Sequence, residues 1–285
     1  MTDNPWPVRD SQREFAYTRA DFDRLRQLSR DHSGIQVPDD KFDMFYSRLA
    51  KRLRALGLST FRSYVDYLSA HPDLEFTEFI NSVTTNLTAF FRENHHFEFL
   101  AKQALPQICK QSVGRKTLSA WSAGCSTGEE AYSLAMTLHE HLPGNWRFQV
   151  LATDLDTQVL RTAAAGVYPL EAVARLGERR LKQWFQKGVG RQDRRVRVKA
   201  ELREAIEFRQ LNLMRDWPEL SGFDLIFCRN VLIYFDRSTK EALAKRYWQA
   251  LRPGGYLFIG HSESLHQLDT GFEALGQTVY RKPER

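Results

Sequence analysis

Residues 121–136, WSAGCSTGEEAYSLAM, join a predicted strand to a predicted helix through a turn of small residues. In an open parallel sheet, ligands bind at the carboxyl ends of the strands, where such turns lie. The turn matches neither GxxxxGK[ST] nor GxGxxG, which argues against a phosphate-loop ATPase and against a dehydrogenase. Two acids, Glu129 and Glu130, follow the turn, where a phosphate would favour N–H groups and positive charge.

Short apolar runs recur after residue 117 and alternate with helical stretches. The runs read TLSAWS, RFQVLATD, AIEFRQLN, FDLIFCRN and GYLFIGHS, with helices predicted at 128–141, 156–165 and 238–251. This alternation predicts an α/β fold with a mostly parallel sheet and helices on both faces. The run QTVYRK predicts an antiparallel edge strand, and 166–204 predicts an insertion with two short strands around a glycine turn.

The first third of the chain predicts helices and shows no strand-like alternation. One helix has a possible cap at Asp21 and ends at Gly34, and the next is capped by Asp39 or Asp40 and ends at Gly57. Two further helices follow, separated by a His-Pro pair.

Composition restricts the class of protein. Hydrophobic residues make up 42 % of the chain, and no apolar run reaches the roughly 18 to 20 residues of a membrane span. No secretion signal is recognisable, and no membrane insertion is predicted. The three cysteines have no CxxC spacing, which predicts a protein of the reducing cytoplasm without disulfides and without a metal site. A net charge of +6 favours an acidic partner, whether nucleic acid, anionic lipid or protein.

The acids near the predicted sheet edge indicate the ligand. Asp154 ends the second strand and is well placed to accept both hydroxyls of a ribose. A ligand with a ribose, a cationic part and no phosphates would tolerate Glu129, and S-adenosylmethionine is such a molecule. The alternative is that Glu129 and Glu130 only stabilise the helix dipole, which is worth about 0.3–1 kcal/mol.

Two further strand ends carry candidate residues. Asn212 and Leu213 follow the third strand, where an amide and an apolar side chain could frame an adenine. Arg229, Asn230 and Tyr234 follow the fourth strand. A lone Asn after a strand is often a turn former, but Asn230 begins no obvious turn, so we favour a functional role.

Five ordered motifs resemble the CheR family of chemoreceptor glutamate O-methyltransferases over about residues 15–281. They are TNLTAFFRE at 85–93, SAGCSTGEEAYSLAM at 122–136, ATDLD at 152–156, IFCRNVLIYFD at 226–236 and GHSE at 260–263. Gly124 and Cys125 depart from the family, which favours Ala and Ser there. Both residues are small, so the turn should survive.

The resemblance implies a Rossmann-like class I S-adenosylmethionine methyltransferase domain with a small β-subdomain, preceded by a small all-α domain. The implied boundaries are 11–80 for the all-α domain, 81–96 for a linker that contacts the cofactor, and 97–285 for the methyltransferase domain. The β-subdomain corresponds to the insertion at 166–204.

The resemblance also implies roles for individual residues. The implied cofactor-binding residues are Asn86, Thr88, Arg92, Gly124, Glu129, Asp154, Asn212, Leu213, Arg229 and Asn230. Arg92 would hold the methionine carboxylate, Glu129 the amino group and Asp154 the ribose. Tyr234 would lie near the methyl acceptor, so Arg92 and Tyr234 are the expected catalytic residues.

The implied acceptor is a glutamate side chain on a cytoplasmic receptor helix, and the implied product is S-adenosylhomocysteine. The pKa of a glutamate side chain in water is about 4.3, so the acceptor is already anionic at neutral pH and needs no general base. Positioning alone can supply roughly 7–11 kcal/mol. Two alternatives stay open: a cofactor-sensing module without turnover, and a nucleic-acid methyltransferase. For the second, NVLIY is only faintly similar to the Asn-Pro-Pro-Tyr motif of enzymes that methylate amino groups.

The helix predicted over 40–56 has an apolar side and a basic side. Arg48, Lys51 and Arg54 fall on the basic side, with Arg52 at its border. The resemblance makes this face a docking surface for receptor helices, which are rich in glutamate. The alternative is an ordinary solvated face.

The insertion carries a second basic cluster, GVGRQDRRVRVK. In some members of the family, the β-subdomain binds a receptor C-terminal peptide as an added strand. Arg195, Arg197 and Lys199 would suit such an open edge. The alternative is that these charges only protect the edge from aggregation.

Overall fold

The computed structural model describes residues 13–112 and 114–284, which form two compact units. The first unit ends at Thr84 and the second begins at Thr85. Residues 11 and 12, which open the predicted all-α domain, lie outside the described residues. No helix in the described ranges is long and apolar enough to cross a membrane.

The first unit is all-α, as predicted. Its helices are α1 (Arg19–Ser33), α2 (Phe42–Leu56), α3 (Phe61–Ala70) and α4 (Pro72–Val83). The cap of α1 is Thr18 and not Asp21, because the two residues form a capping box in which Asp21 is the third helical residue. A 3₁₀ turn over Asp39–Lys41 precedes α2, so neither predicted aspartate caps that helix. Gly34 and Gly57 end their helices in the left-handed conformation, as expected.

The second unit alternates strands and helices. Its helices are α5 (His95–Phe99), α6 (Leu105–Gln111), α7 (Glu129–His141), α8 (Thr157–Ala165), α9 (Leu170–Val173), α10 (Gly177–Trp184), α11 (Ala200–Glu204) and α12 (Arg237–Ala250). Its strands are β1 (Thr117–Ala123), β2 (Arg147–Asp154), β3 (Val167–Pro169), β4 (Phe185–Lys187), β5 (Arg195–Val198), β6 (Ile206–Gln210), β7 (Phe223–Cys228), β8 (Leu251–Ile259), β9 (Glu273–Gly276) and β10 (Val279–Arg281).

The large sheet has the order β6-β2-β1-β7-β8-β10-β9. The first five strands are parallel, and β10 pairs antiparallel with both β8 and β9. All six residues of β7 are buried, as expected for a parallel strand covered on both faces. The predicted mostly parallel α/β fold is therefore confirmed.

Three strands of the insertion form a separate small sheet with the order β3-β5-β4. The sequence predicts only two strands here, because β3 spans only Val167–Pro169 and carries little strand signal. The strand β5 pairs with a neighbour on each side, so it is central. The expectation that its arginines mark an open edge is wrong, and the open edges are β3 and β4.

Candidate cofactor and active site

The strand order of the large sheet reverses at β1, which lies between β2 and β7. Ala123 pairs with Thr153, and Ser122 with Phe227, so these three strands end at one edge. Such a switch point forms a crevice at the carboxyl ends of the strands. The predicted residues from Gly124 to Asn230 follow β1, β2, β6 and β7 directly, so the fold brings them to this edge.

A cavity of about 300 Å³ lies at the other edge of the sheet. Arg115 and Asp224 line it, and Asp224 is near the amino end of β7. These two side chains neutralise each other through a pair of hydrogen bonds of 2.9 and 2.6 Å. Because its two charged residues pair with each other and it lies at the other edge of the sheet, we do not assign a ligand to this cavity.

Glycine shapes the loop that follows β1. Gly124 has φ +91°, and a Cβ at this position would clash with the Cγ2 of Val231. The N–H groups of Gly124 and Cys125 both donate to the carbonyl of Thr153, at 2.8 and 2.9 Å. The loop is thereby fastened to the end of β2, and a side chain at Gly124 would displace it.

Asp154 is held by the backbone at the carboxyl end of β2. Its Oδ2 accepts from the N–H of Ser126 at 2.8 Å, and its Oδ1 accepts from the N–H of Asp156 at 3.0 Å. Burial raises the pKa of this carboxyl to about 6, although both hydrogen bonds act in the opposite direction. A carboxylate has about four acceptor positions, so a fixed acceptor remains for further donors such as ribose hydroxyls.

The adjacent acids Glu129 and Glu130 have different partners. Glu130 accepts from the hydroxyl of Ser122 at 2.7 Å and from Nη1 of Arg229 at 3.2 Å. Glu129 accepts from the hydroxyl of Thr127 at 2.7 Å, and in the described part of the chain no cation pairs with it. Burial raises the pKa of both carboxyls. Among the described residues, Glu130 is therefore compensated by a positive charge and Glu129 is not.

This set of groups tests which ligand fits the crevice. A buried carboxylate is costly unless a positive charge or several donors compensate it. A ligand with a cationic centre and hydroxyl groups would supply both to Glu129 and Asp154, whereas a phosphate would repel them. The residues present therefore fit S-adenosylmethionine.

The 85–94 segment, which the sequence predicts as part of the linker, packs against the same loops. The side-chain amide of Asn86 donates to Asp156 at 2.8 Å, and the hydroxyl of Ser126 donates to the carbonyl of Asn86 at 3.1 Å. Nη1 of Arg92 donates to the carbonyl of Leu87 at 2.8 Å, and Thr88 is partly buried between them. Asn86, Thr88 and Arg92 are thus carried by one segment beside the crevice.

The same segment contacts the small sheet through an aromatic side chain. Phe90 packs edge-on against Tyr168 of β3 and Phe185 of β4, with ring centroids 5.0 and 5.6 Å apart. The hydroxyl of Tyr168 donates to the carbonyl of Thr127 at 2.6 Å. The insertion therefore braces both the segment and the glycine loop.

Asn212 and Leu213 follow β6 and are partly buried. The Oδ1 of Asn212 accepts from the N–H of Met214 at 2.9 Å, which shapes the turn. The carbonyl of Leu213 accepts from Nη1 of Arg246 at 2.6 Å. Their backbone is therefore fixed by protein contacts, while their role toward an adenine stays a prediction.

Arg229 and Asn230 have structural partners that the sequence does not reveal. The guanidinium of Arg229 is 2 % exposed and lies 3.2 Å from both Glu93 and Glu130. Asn230 has φ +59°, and a 3₁₀ turn over Leu232–Tyr234 follows. The expectation that Asn230 begins no turn is wrong, since Asn is among the residues that tolerate this left-handed conformation.

Tyr234 ends this 3₁₀ turn and is partly buried. The buried carboxylate of Glu263 accepts from the N–H groups of Asn230 and Ile233, at 3.0 and 3.1 Å, and from that of Gly260. Glu263 thus fixes the turn that carries Tyr234. The motif GHSE contains Glu263, but the sequence indicates no role for it, because its amide partners belong mostly to a distant loop.

The basic residues of α2 are only partly free. Arg52 makes two bonds of 2.6 and 2.7 Å to Glu75, which is 1 % exposed. Nη1 of Arg48 donates to the carbonyl of Thr84 at 2.5 Å. Arg54 is exposed and pairs with Glu14, and Lys51 is exposed. Lys51 and Arg54 therefore offer the accessible charge of this helix.

The chain matches two family models that together span nearly all of it. They are "CheR methyltransferase, all-alpha domain" over residues 20–84 and "CheR methyltransferase, SAM binding domain" over residues 86–281.

Curated relatives cover similar lengths. A protein named "Chemotaxis protein methyltransferase" from Salmonella typhimurium is 45 % identical over 270 residues, 93 % of this chain and 91 % of that protein. The Escherichia coli protein of that name is 44 % identical with the same coverage. "Chemotaxis protein methyltransferase 2" from Pseudomonas aeruginosa is 44 % identical over 98 % of both chains.

Among solved structures, an S-adenosylmethionine-dependent methyltransferase from Mesorhizobium loti has a TM-score of 0.30 and 19 % identity, covering 56 % of this chain and 54 % of that one. The family models and the curated relatives agree with the resemblance of the five sequence motifs. The chain therefore belongs to the CheR methyltransferase family, and its second unit contains the S-adenosylmethionine-binding domain of that family.

Proposed function

We propose that this protein transfers the methyl group of S-adenosylmethionine to side-chain carboxylates of glutamates on chemoreceptors, giving glutamyl methyl esters. Membership of the family supports the cofactor, and the names of the relatives support a role in chemotaxis. The observation that carries the proposal is the pair of fixed acids at the switch point of the sheet, the buried Glu129 and the partly buried Asp154.

In this proposal, the chain's own residues divide the binding task. Glu129 receives the ammonium group and Asp154 the ribose hydroxyls, because each carboxylate has unused acceptor positions. Arg92 binds the carboxylate of the methionine portion, and Asn212 and Leu213 border the base. When bound, S-adenosylmethionine supplies an electrophilic methyl group.

The acceptor chemistry needs little from the protein beyond placement. A glutamate carboxylate is already a nucleophile at neutral pH, so no side chain has to remove a proton. Tyr234, on the loop after β7, would orient the incoming carboxylate and exclude water from it, while Arg92, on the 85–94 segment, fixes the methyl donor. Positioning of this kind can account for roughly 7–11 kcal/mol of a reaction barrier.

Two surfaces are proposed for the receptor. Lys51 and Arg54 of α2 would attract the acidic methylation helices, while Arg48 and Arg52 serve mainly to hold the first unit together. The open edge β4 of the small sheet, with exposed Gln186 and Lys187, would accept a receptor C-terminal peptide as an added strand.

A transfer assay with radiolabelled S-adenosylmethionine tests the proposal. Receptor-enriched membranes should acquire label that mild base releases as methanol, since esters hydrolyse under conditions in which methylated amines survive. The Asp154→Ala variant should not support labelling at the same cofactor concentration.

Two other outcomes would contradict the proposal. Label on RNA or DNA, with none on receptor, would show a nucleic-acid methyltransferase. Cofactor binding without transfer to any of these acceptors would indicate a cofactor-sensing module.

A further inference from the structure

A carboxylate that the binding scheme leaves unused, Glu93, joins three parts of the second unit. Its Oε1 accepts from Nδ1 of His261 at 2.7 Å and from the side-chain amide of Asn230 at 3.2 Å. Its Oε2 accepts from the N–H of His261 at 3.1 Å and lies 3.2 Å from Nη2 of Arg229. These partners follow β7 and β8, whereas Glu93 belongs to the 85–94 segment.

The backbone around Glu93 is held in an unfavourable conformation. Phe91 and Glu93 have φ +52° and +53°, a left-handed conformation that is unfavourable for residues other than glycine. Such a conformation persists only where surrounding contacts fix it. Here the N–H of Phe91 donates to the hydroxyl of Ser133 at 2.9 Å, and the Glu93 side chain supplies the other contacts.

A metal site is the competing explanation for this cluster. Glu93, His95 and His96 have ligand atoms within 4.8 Å of one another. The guanidinium of Arg229 already pairs with Glu93 and Glu130, and its permanent charge would repel a cation at the same carboxylate. Burial raises the pKa of Glu93, but His261, Arg229 and Asn230 outweigh that effect and hold it at about 2, so the carboxylate is ionised and these groups already compensate its charge.

Glu93 is adjacent in the chain to a residue that is expected to bind the cofactor, so its contacts affect cofactor binding. Its neighbour Arg92 is expected to bind the cofactor, and the carbonyl of Arg92 accepts from Nη2 of Arg229. The other end of the segment is fixed separately, through Asn86 and Asp156. Release of Glu93 would therefore loosen the Arg92 end, which would keep its backbone contacts to Arg229 and Ser133, while leaving the Asn86 end in place.

We propose that Glu93, with His261 as its surface partner, is a positioning residue for the cofactor: it holds the 85–94 segment against the loops after β7 and β8, so that Arg92 faces the crevice. This inference rests on the proposed function and deepens it. Neither residue touches the reacting atoms in this scheme; both act through Arg92 and Asn230.

Variants at His261, whose side chain is 65 % exposed, test the proposal without leaving the Glu93 carboxylate unpaired, because Arg229 still pairs with it. His261→Ala removes the donor, whereas His261→Asn keeps an N–H group near the position of Nδ1. His266→Ala removes another exposed histidine from the same loop and is the matched control. Glu93→Gln keeps the shape of the carboxylate and removes its charge.

Three measurements on the full chain separate positioning from simple destabilisation: the Kd for S-adenosylhomocysteine by calorimetry, the Tm, and hydrogen exchange in the 85–94 segment. Glu93→Gln should raise the Kd about tenfold, and His261→Ala about threefold, since each weakens a charge-assisted bond. Exchange in the segment should be faster in both. His261→Asn and His266→Ala should bind like the unaltered protein.

The outcomes distinguish this inference from the proposed function. If the unaltered protein does not bind S-adenosylhomocysteine, the proposed function fails. If it binds and His261→Ala binds equally well, or if His261→Asn is as weak as His261→Ala, the positioning role is wrong while the function stands. A lowered Tm without any change in Kd would show that Glu93 serves stability alone. Should Glu93→Gln not fold, the three histidine variants decide.

Discussion

The acids at the carboxyl edge of the large sheet and the basic residues of α2 are both groups of charge, but they are held in opposite ways. Burial raises the pKa of Asp154 and of Glu129. Lys51 and Arg54 are exposed, and the one acid that contacts Arg54, Glu14, is itself half exposed to water. A buried charge costs free energy until a partner compensates it, so the crevice acids indicate a ligand. Exposed cations need no partner, and their attraction for one is weak.

Asp154→Ala tests whether an acid of the crevice contacts the ligand, and it has the largest expected effect. The Kd for S-adenosylhomocysteine should rise on the order of 10²-fold, because two hydrogen bonds to a carboxylate are lost. Calorimetry at neutral pH measures the change, and Asp193→Ala, at an exposed aspartate of the insertion, is the control. A rise of less than threefold would mean that Asp154 does not contact the ligand.

The pH dependence of stability tests whether the ionised carboxylate of Asp154 destabilises the ligand-free protein. Its folded pKa is raised from 3.8 to about 6, so its contribution to stability is complete below pH 3.8 and is lost as the pH rises through 6. Between about pH 4 and 7, the ligand-free protein should therefore lose roughly 2–3 kcal/mol relative to Asp154→Asn. Denaturant unfolding of both proteins across this range measures the difference, and parallel curves would contradict it.

Arg52→Ala tests whether α2 is a uniform docking face. Within the described ranges, the variant leaves Glu75, which is 1 % exposed, with one side-chain partner, the hydroxyl of Tyr64 at 2.9 Å. We expect the free energy of unfolding to fall by about 2 kcal/mol. This is less than for a fully buried ion pair, because Arg52 is itself 24 % exposed. Lys51→Ala, one residue earlier and exposed, should change it by less than about 0.5 kcal/mol. Equal effects at the two positions would remove the distinction drawn here.

The sequence predicts these two regions unequally. Buried apolar runs such as FDLIFC mark the strands that end at the crevice, and the acids that follow them are placed correctly because parallel strands end at one edge. On α2, the helical wheel places Arg52 at the border of the basic side but does not show that Glu75, on another helix, is buried beneath it. Periodicity reports which face a residue is on, and tertiary packing decides its partner.

The adjacent pair Glu129 and Glu130 shows the same limit within the crevice. Consecutive helical residues point about 100° apart, so the two acids have different surroundings. Only the fold shows that Arg229, about a hundred residues later, pairs with Glu130. The sequence does not predict the strand β9 for a different reason: it is short, all four of its residues are exposed, and its two apolar residues are adjacent and do not alternate with polar ones.

Glu129→Gln sharpens the comparison between these two neighbours. It should raise the Kd for S-adenosylhomocysteine about tenfold, since one charge-assisted bond to an ammonium group becomes neutral. Glu171→Gln, at an exposed glutamate of the second unit, should have no effect. If Glu129→Gln binds normally and its only consequence is a small change in Tm, then Glu129 serves the helix dipole, as the alternative interpretation holds.

Lys51→Glu tests the exposed side and has the smallest expected effect. Receptor methylation should slow about threefold at low salt, and the Kd for S-adenosylhomocysteine should not change, because an exposed charge acts by attraction over a distance. Lys110→Glu, an exposed lysine of the second unit, provides the matched reversal of charge. The deficit should shrink as salt is added, since the screening length falls from about 10 Å at 0.1 M to about 3 Å at 1 M. A deficit that persists at high salt would instead indicate a desolvated contact at Lys51, and α2 would then resemble the crevice in how it uses charge.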